Sequence, residues 1–398
     1  QSITGPVTGS VVSFTYDGFG RVRTVTDPEG YKVTTDYDAL NRPTLITYPD
    51  SSYEQIVYDK LDAVRHRDRL GRWSYTIYDS LQRPNIISDA LGRVTQFIWC
   101  SCGSLSEIID PLKRITTFTR DLQGRLLSKT YPDGKTINYT YESTTSRIKE
   151  VTDIKGQKSQ YSYFIDDNLK KVVYANAAVF TDSVRYTYDT VYNRMRTMTD
   201  GTGLTTYAYK SFNSGPGSGQ MQSVDGPLTN DIISYTYDSL GRVLSRNING
   251  IPSSVLYDKL GRIISATNSL GTFAYSYLNQ TGRLLSTAYP NGQITSYSYF
   301  PNREDQRISE IWNKTSSSAT VSKFNYDYNK EGQIVKWTQQ AGTATPTYLD
   351  LGYDLSDQLI SATQKSQGTN AIVKRYAYQY DKAGNRTSEQ INNAVTSS

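Results

Sequence analysis

Reactive side chains are few in this 398-residue sequence. His66 is its only histidine and sits in Arg65-His66-Arg67-Asp68-Arg69. A nucleophilic triad needs a Ser or Cys and an orienting acid at a workable spacing. None accompanies His66, which reads as a surface strand residue. Cys100 and Cys102 form Cys-Ser-Cys directly after Trp99. Two thiols are half of a structural zinc site, and no second pair or histidine follows. On one strand residues i and i+2 face the same way, so a strained local disulfide or two free thiols are both open. Small loop residues that happen to be cysteine is the plainer reading. So few cysteines neither require nor forbid an oxidising compartment. Aspartates are numerous enough to suggest acid–base or calcium chemistry, but there is no D-x-D-x-D loop of calcium type. No glycine-rich phosphate loop precedes a helix, because no convincing helix is present. Asn138, Asn279, Asn313 and Asn385 open N-x-S/T strings, which matter only in a eukaryotic secretory protein. The expectation is no catalysis, no cofactor and no metal.

The aspartates lead instead to the elements that hold them. Nearly all stand first in a turn, where a carboxylate bonds the backbone N–H groups ahead of it. Tyr16-Asp17-Gly18-Phe19-Gly20-Arg21 sets the pattern, followed about ten residues on by Asp27-Pro28-Glu29-Gly30. The first turn returns as Tyr37-Asp38-Ala39-Leu40-Asn41-Arg42 and as Tyr78-Asp79-Ser80-Leu81-Gln82-Arg83. It returns again as Tyr237-Asp238-Ser239-Leu240-Gly241-Arg242 and Tyr257-Asp258-Lys259-Leu260-Gly261-Arg262. Gly20, Gly241 and Gly261 suit the bulge that closes longer hairpins. The arginine that ends each unit is expected to pair with a turn Asp or to stack on a neighbouring Tyr. Between the turns there is room for one strand of about five to six residues. Phe14 and Tyr16, Tyr139 and Tyr141, Tyr235 and Tyr237 alternate with Thr and Ser, as a strand requires. Adjacent strands are expected to place such tyrosines side by side as cross-strand aromatic pairs.

Repetition of this kind decides the architecture. The motif marks fall at Tyr16, Tyr37, Tyr58, Tyr78, Trp99, Arg120 and Tyr141, steps of about 21 residues. Residues 1–13 read as a lead-in and 14–398 as about 17 two-strand units, with longer connections near 171–184 and 211–231. At ~4.8 Å per strand the sheet runs roughly 160 Å, and one full turn would make a cylinder on the order of 50 Å across. Tyrosine is abundant at 34 residues, while hydrophobic residues make up only 37% and mean hydropathy is −0.56. That suits a single wide sheet with polar surroundings on both faces, since Tyr has an apolar body and a wet tip. The net charge of +5 is spread along the repeats, which argues for solvated cations and against a nucleic-acid patch. No stretch is apolar enough for a membrane helix. The two ends of the sequence are both mid-pattern in style, so a piece of something longer is expected.

Tyr-Asp-x-x-Gly-Arg units at this spacing, alternating with Asp-x-x-Gly turns, resemble the YD repeats of Rhs proteins. The same repeats occur in the C subunits of bacterial Tc toxins, in wall-associated polymorphic toxins and in teneurins. The resemblance implies an all-β, single-layer antiparallel sheet of tandem hairpins that coils into a hollow spiral or partial shell. In toxins such a shell holds an effector, and in teneurins it is a scaffold for adhesion. Toxin members end in a core that cuts itself near an Asp-Pro-x-Gly string. Asp27-Pro28-Glu29-Gly30 has that form but lies at the other end and repeats as an ordinary turn, so the turn reading is preferred. The function implied is a non-catalytic wall of a secreted or surface-exposed bacterial shell. Its partners would be a polypeptide cargo or neighbouring domains of the same longer chain. The alternative is an extracellular adhesive segment that binds glycans or proteins, or that self-assembles end to end.

Overall fold

The computed structural model describes residues 1–393; the last five positions of the expected array, 394–398, lie outside the described residues. The described residues form a single sheet of 35 strands, with one three-residue 3-10 turn at Asn302–Glu304. It begins with β1 (Ser2–Thr4), β2 (Val11–Tyr16), β3 (Val22–Thr26), β4 (Lys32–Tyr37) and β5 (Pro43–Thr47). Each strand pairs antiparallel with the next in sequence, from β1 to the last strand, Arg386–Asn393. The order is a plain meander, the result of joining every strand to its successor by a short turn.

The turn chemistry is the one the sequence implies. In Asp17–Gly20 the Gly20 amide donates to the Asp17 carbonyl at 3.1 Å, and the Asp17 amide to the Arg21 carbonyl at 2.9 Å. Gly20 has φ 79°, and Asn41, Gln82 and Lys113 hold the same place at φ 63°, 60° and 65°. The second turn, Asp27–Gly30, repeats these bonds at 3.0 Å each.

The two edges of the sheet nevertheless differ. Between β3 and β4 the register runs unbroken through Thr24–Thr34 to Thr26–Lys32. Between β2 and β3 it shifts, so that Thr15 faces Thr24 but Tyr16 faces Val22, and Arg23 is an extra residue. The same shift recurs at Tyr37, Tyr58, Tyr141 and Tyr257. A bulge bends its strand and raises the local twist. Among the described residues a bulge recurs at each Tyr-Asp hairpin and at only two places on the opposite edge, Lys314 and Lys365, which gives the ribbon a steady bias to coil.

Packing confirms a single layer. Val172, Tyr237, Tyr348 and Ala362 are the only buried apolar side chains among the described residues, and Thr24, Ser52, Thr287 and Thr295 are buried elsewhere in the sheet. Several details depart from expectation. Within the expected lead-in, residues 1–13, β1 already pairs with β2. Of the expected connections, 171–175 completes the strand Leu169–Ala175, and Met221–Asp225 is a strand inside 211–231. Short alternating runs there are masked in the sequence by flanking glycine and polar residues. The coil is also tighter than one turn of ~50 Å. Turns about 24 strands apart touch: the Thr8 carbonyl meets Gln280, and Glu29 meets Asn302. That gives a circumference on the order of 115 Å and a diameter of roughly 37 Å. The ribbon therefore overlaps itself and remains open at both ends.

Candidate functional site: the clamp row and the seam

His66 lines one open surface cavity together with Asp68, Asp89, Glu331 and Asp357, but neither cysteine joins it, and the repeated turn and the overlap carry the chemistry. At Asp38 one carboxylate oxygen accepts the Leu40 and Arg42 amides at 2.8 and 3.0 Å, and the other accepts Arg42 Nε at 2.8 Å. Arg42 Nη1 then donates to the Lys60 carbonyl of the next unit at 2.6 Å. Its guanidinium lies 4.0 Å from the centre of the Tyr58 ring. Tyr58 completes the link by donating its hydroxyl to the Pro43 carbonyl at 3.1 Å. One arginine thus ties its own turn, the next turn and the ring between them.

The clamp recurs at the motif residues. Asp17 and Arg21, Asp79 and Arg83, Asp238 and Arg242, Asp258 and Arg262 are paired at 2.6 to 2.7 Å. Arg21 stacks on Tyr37, Arg242 on Tyr257 and Arg262 on Tyr277. The hydroxyls of Tyr37, Tyr237 and Tyr257 reach the carbonyls of Val22, Met221 and Val243 at 2.6 to 2.9 Å. Tyr78 does the same to Ala63 at 3.2 Å, and Tyr16 donates to Gln1 at 2.9 Å. These bonds close a gap. The β3–β4 ladder stops at Thr24–Thr34, although the strands continue to Val22 and Tyr37. A hydroxyl from β4 satisfies a carbonyl that the ladder leaves over. The expected Tyr–Tyr pairing across strands is corrected accordingly. The rings stack on arginines, because the register shift sets each motif tyrosine opposite an aliphatic residue such as Val22 or Ile148.

Electrostatics follow the geometry. The Arg42 guanidinium holds the Asp38 carboxyl below its ordinary value, and Arg83 does so for Asp79. At Asp238 and Asp258 burial alone would raise the carboxyl, but the amide and guanidinium bonds of Arg242 and Arg262 outweigh it.

The seam is where the second-turn edge of the first coil meets the Tyr-Asp edge of the overlap. Its centre is Arg69, 8% exposed, in the turn after Asp68. Arg69 Nη1 is 2.7 Å from Asp305 Oδ2, Nη2 is 3.3 Å from Asp50 Oδ1, and Nε donates to Ser52 Oγ at 2.8 Å. Its amide donates to Glu331 Oε1 at 2.6 Å, and its guanidinium lies 4.1 Å from the Tyr48 ring centre. Tyr31 donates to Asp305 Oδ1 at 2.8 Å. Burial, then the Asp305 carboxylate, push the Tyr31 hydroxyl far up, so it stays a protonated donor. Burial raises Asp50 as well, but the Ser52 hydroxyl and amide, with Arg69, bring it below its ordinary value. The seam continues through Arg72 to Asp357 at 2.8 Å, Ser356 to Asp89 at 2.8 Å and Arg93 to Gln358 at 2.7 Å.

No sequence feature paired these residues across the seam, because the partners from the two coils, such as Arg69 with Asp305 and Arg72 with Asp357, lie 236 to 285 positions apart. His66 lies in the strand Asp62–Arg67, half exposed, with Nε2 3.6 Å from Glu54. Cys100 and Cys102 are disulfide-linked, with Cα atoms 5.1 Å apart. They lie in a turn after the strand Val94–Trp99, not on a strand. Among the described residues no cluster of His, Cys, Asp or Glu could hold a metal ion.

The RHS Repeat family pattern matches residues 1–32, 16–53, 103–136 and 257–294. Double-stranded DNA deaminase toxin A of Burkholderia cenocepacia is 25% identical over 266 residues, 65% of this chain and 17% of that protein. Probable deoxyribonuclease RhsB of Dickeya dadantii is 24% identical over 163 residues, 41% of this chain and 11% of that protein. The chain therefore spans less than a fifth of either relative. Among solved structures, the TcdB2–TccC3 crystal structure superposes with a TM-score of 0.78 at 18% identity, covering 100% of this chain and 24% of that one. The Photorhabdus luminescens Tc holotoxin pore gives 0.76 at 17% identity, covering 98% and 23%. With the tandem clamped hairpins and the single coiled sheet around them, the chain carries RHS (YD) repeats, matched by the family pattern at four places.

Proposed function

We propose that this chain is a wall segment of a toxin-type RHS shell, and that it surrounds a polypeptide carried by the same longer gene product. The observation that carries this reading is the self-overlap: a ribbon that closes on itself through a seam of ion pairs separates an inside from an outside. A lumen roughly 25 Å wide remains after side chains are allowed for. Both sequence relatives are named for an action on DNA, while this chain matches only 17% and 11% of their lengths. That supports a division between a wall without chemistry of its own and an active part elsewhere. Delivery outside a bacterial producer belongs to the same proposal.

The test uses the complete product of the gene. Under limited proteolysis the enclosed polypeptide should survive as long as the wall does. With Arg69→Ala and Asp305→Ala combined, it should be digested while the strand array is still intact. An enclosed segment cut at the same rate in both proteins would defeat the proposal.

A further inference from the structure

One turn in the Tyr-Asp row is built differently. Trp99 holds the tyrosine position, and its indole Nε1 donates to the Pro84 carbonyl at 2.9 Å, as the tyrosine hydroxyls do elsewhere. Cys100 therefore stands at the position that aspartate holds in the clamped units such as Asp79, and that Phe164, Leu278 and Phe300 hold in units without a clamp. Its turn closes on the backbone alone: the Gly103 amide donates to the Cys100 carbonyl at 3.0 Å and the Cys100 amide to the Ser104 carbonyl at 2.9 Å. The Ser104 amide donates to Cys100 Sγ at 3.3 Å, the bond that Arg83 makes to the Asp79 carboxylate at 3.0 Å. The sulfur occupies the carboxylate slot. The disulfide joins Cys100 to Cys102, two residues on, where an ordinary unit donates an amide to its aspartate.

This disulfide is not a staple. Cross-linking stabilises in proportion to the logarithm of the loop it closes, and this loop is nearly the shortest there is. The neighbouring turns hold the same shape with no cross-link. A second observation concerns charge. Arg83 has Nε and Nη2 on Asp79, but its Nη1 is buried without a partner. The equivalent Nη1 of Arg21 and Arg42 donates to the next turn, at the Asp38 and Lys60 carbonyls. Arg83 Nη1 lies beside the cysteine turn, 4.0 Å from where a Gly103 side chain would begin. In the oxidised form the turn offers no anion at the place where every clamped unit has one.

We propose that Cys100–Cys102 is a thiol–disulfide exchange site, attacked by a low-molecular-weight thiol at exposed Cys102 and releasing Cys100 as the thiolate. The incoming thiolate forms a bond to Cys102 Sγ as the Cys100–Cys102 bond breaks. The electron pair leaves on Cys100 Sγ, which the Ser104 amide already faces, with the Arg83 guanidinium beside the Gly103 end of the same turn. A second thiol then displaces the mixed disulfide. The pair gains two electrons and two protons, and two small thiols become one small disulfide. A thiolate that faces an amide donor, in a turn with a guanidinium alongside, is the better leaving group. Cys102, Ser101 and Gly103 are exposed while Cys100 is half-buried, which fixes the direction of attack.

The full 398-residue chain should be equilibrated in glutathione buffers of graded ratio and its thiols labelled and counted by mass. The pair should open within the range set by glutathione, and the transient glutathione adduct should map to Cys102. In single variants of the reduced protein, alkylation of Cys100 (in Cys102→Ser) should reach half its limiting rate at a lower pH than alkylation of Cys102 (in Cys100→Ser). Far-UV circular dichroism of both variants should match the parent, since the backbone closes the turn. A pair that stays oxidised in every buffer, an adduct on Cys100, or equal or reversed pH profiles would overturn the assignment.

Discussion

At the scale of single residues the unit of stability is the aspartate that opens each turn. Its carboxylate is at once a cap for two amides and the counter-ion of an arginine. The carboxyls of Asp38 and Asp79 are held low by Arg42 and Arg83, so their contribution is present above the ordinary aspartate value near 3.8. It is lost as pH falls through the lower value of the folded protein. Many equivalent clamps titrate in that same window. Acid unfolding followed by far-UV circular dichroism should therefore be steep and lie wholly below pH ~4. A gradual loss beginning near pH 6 would place the sensitivity elsewhere. The tyrosine hydroxyl is the second contributor. Tyr141→Phe removes the donor to the Leu126 carbonyl at 2.9 Å and leaves the ring over Arg125. The cost should be about 1 kcal/mol. Amide exchange in that hairpin and its neighbours should quicken about fivefold, with distant units unchanged.

At the scale of the hairpin, much was legible in the sequence because turn chemistry is local. Asp, Gly and Arg at fixed offsets give the turn, and alternation gives the strands. The bulge at Arg23 was not legible, since it exists only relative to a partner strand. For the same reason the sequence implies arginine stacking on a neighbouring tyrosine, as Arg21 does on Tyr37, but not the bond from the Tyr37 hydroxyl to the Val22 carbonyl. Cys100 reads from the sequence as a small loop residue and does lie in a turn, and Trp99 at the tyrosine position is the signal that it fills the first place of that turn. The turn's last position can be tested directly. Gly124 has φ 80° with open space around it, whereas Asn41 and Gln82 hold the corresponding place in their own units. Gly124→Asn should be nearly neutral. Gly124→Val should cost about 1–2 kcal/mol, because a branched side chain is strained in the left-handed region. Thermal unfolding of the two variants would separate backbone strain from loss of space.

At the scale of the whole molecule, what matters is how many strands make one turn of the coil. That number depends on twist and bulge summed over some two dozen strands, so small errors per strand move the overlap by whole units. This is why the sequence implied a coil yet left Arg69, Asp305 and Glu331 unremarked. The seam they form is unlike the clamps, since Arg69 and Asp305 are 8% and 11% exposed and their side chains come from successive coils. Removing one member strands the other away from water, a loss of about 3–5 kcal/mol for a buried pair. The Arg69→Ala and Asp305→Ala single variants should each release the overlapped strands, seen as faster amide exchange confined to residues near 29–93 and 300–358. The double variant should cost less than the sum, with a coupling of at least about 1 kcal/mol. Because the pair is shielded, the coupling should persist at high salt, where exposed pairs fade. Additive costs, or exchange spread evenly over all strands, would mean that the coil is held by its curvature alone and that Arg69 closes nothing.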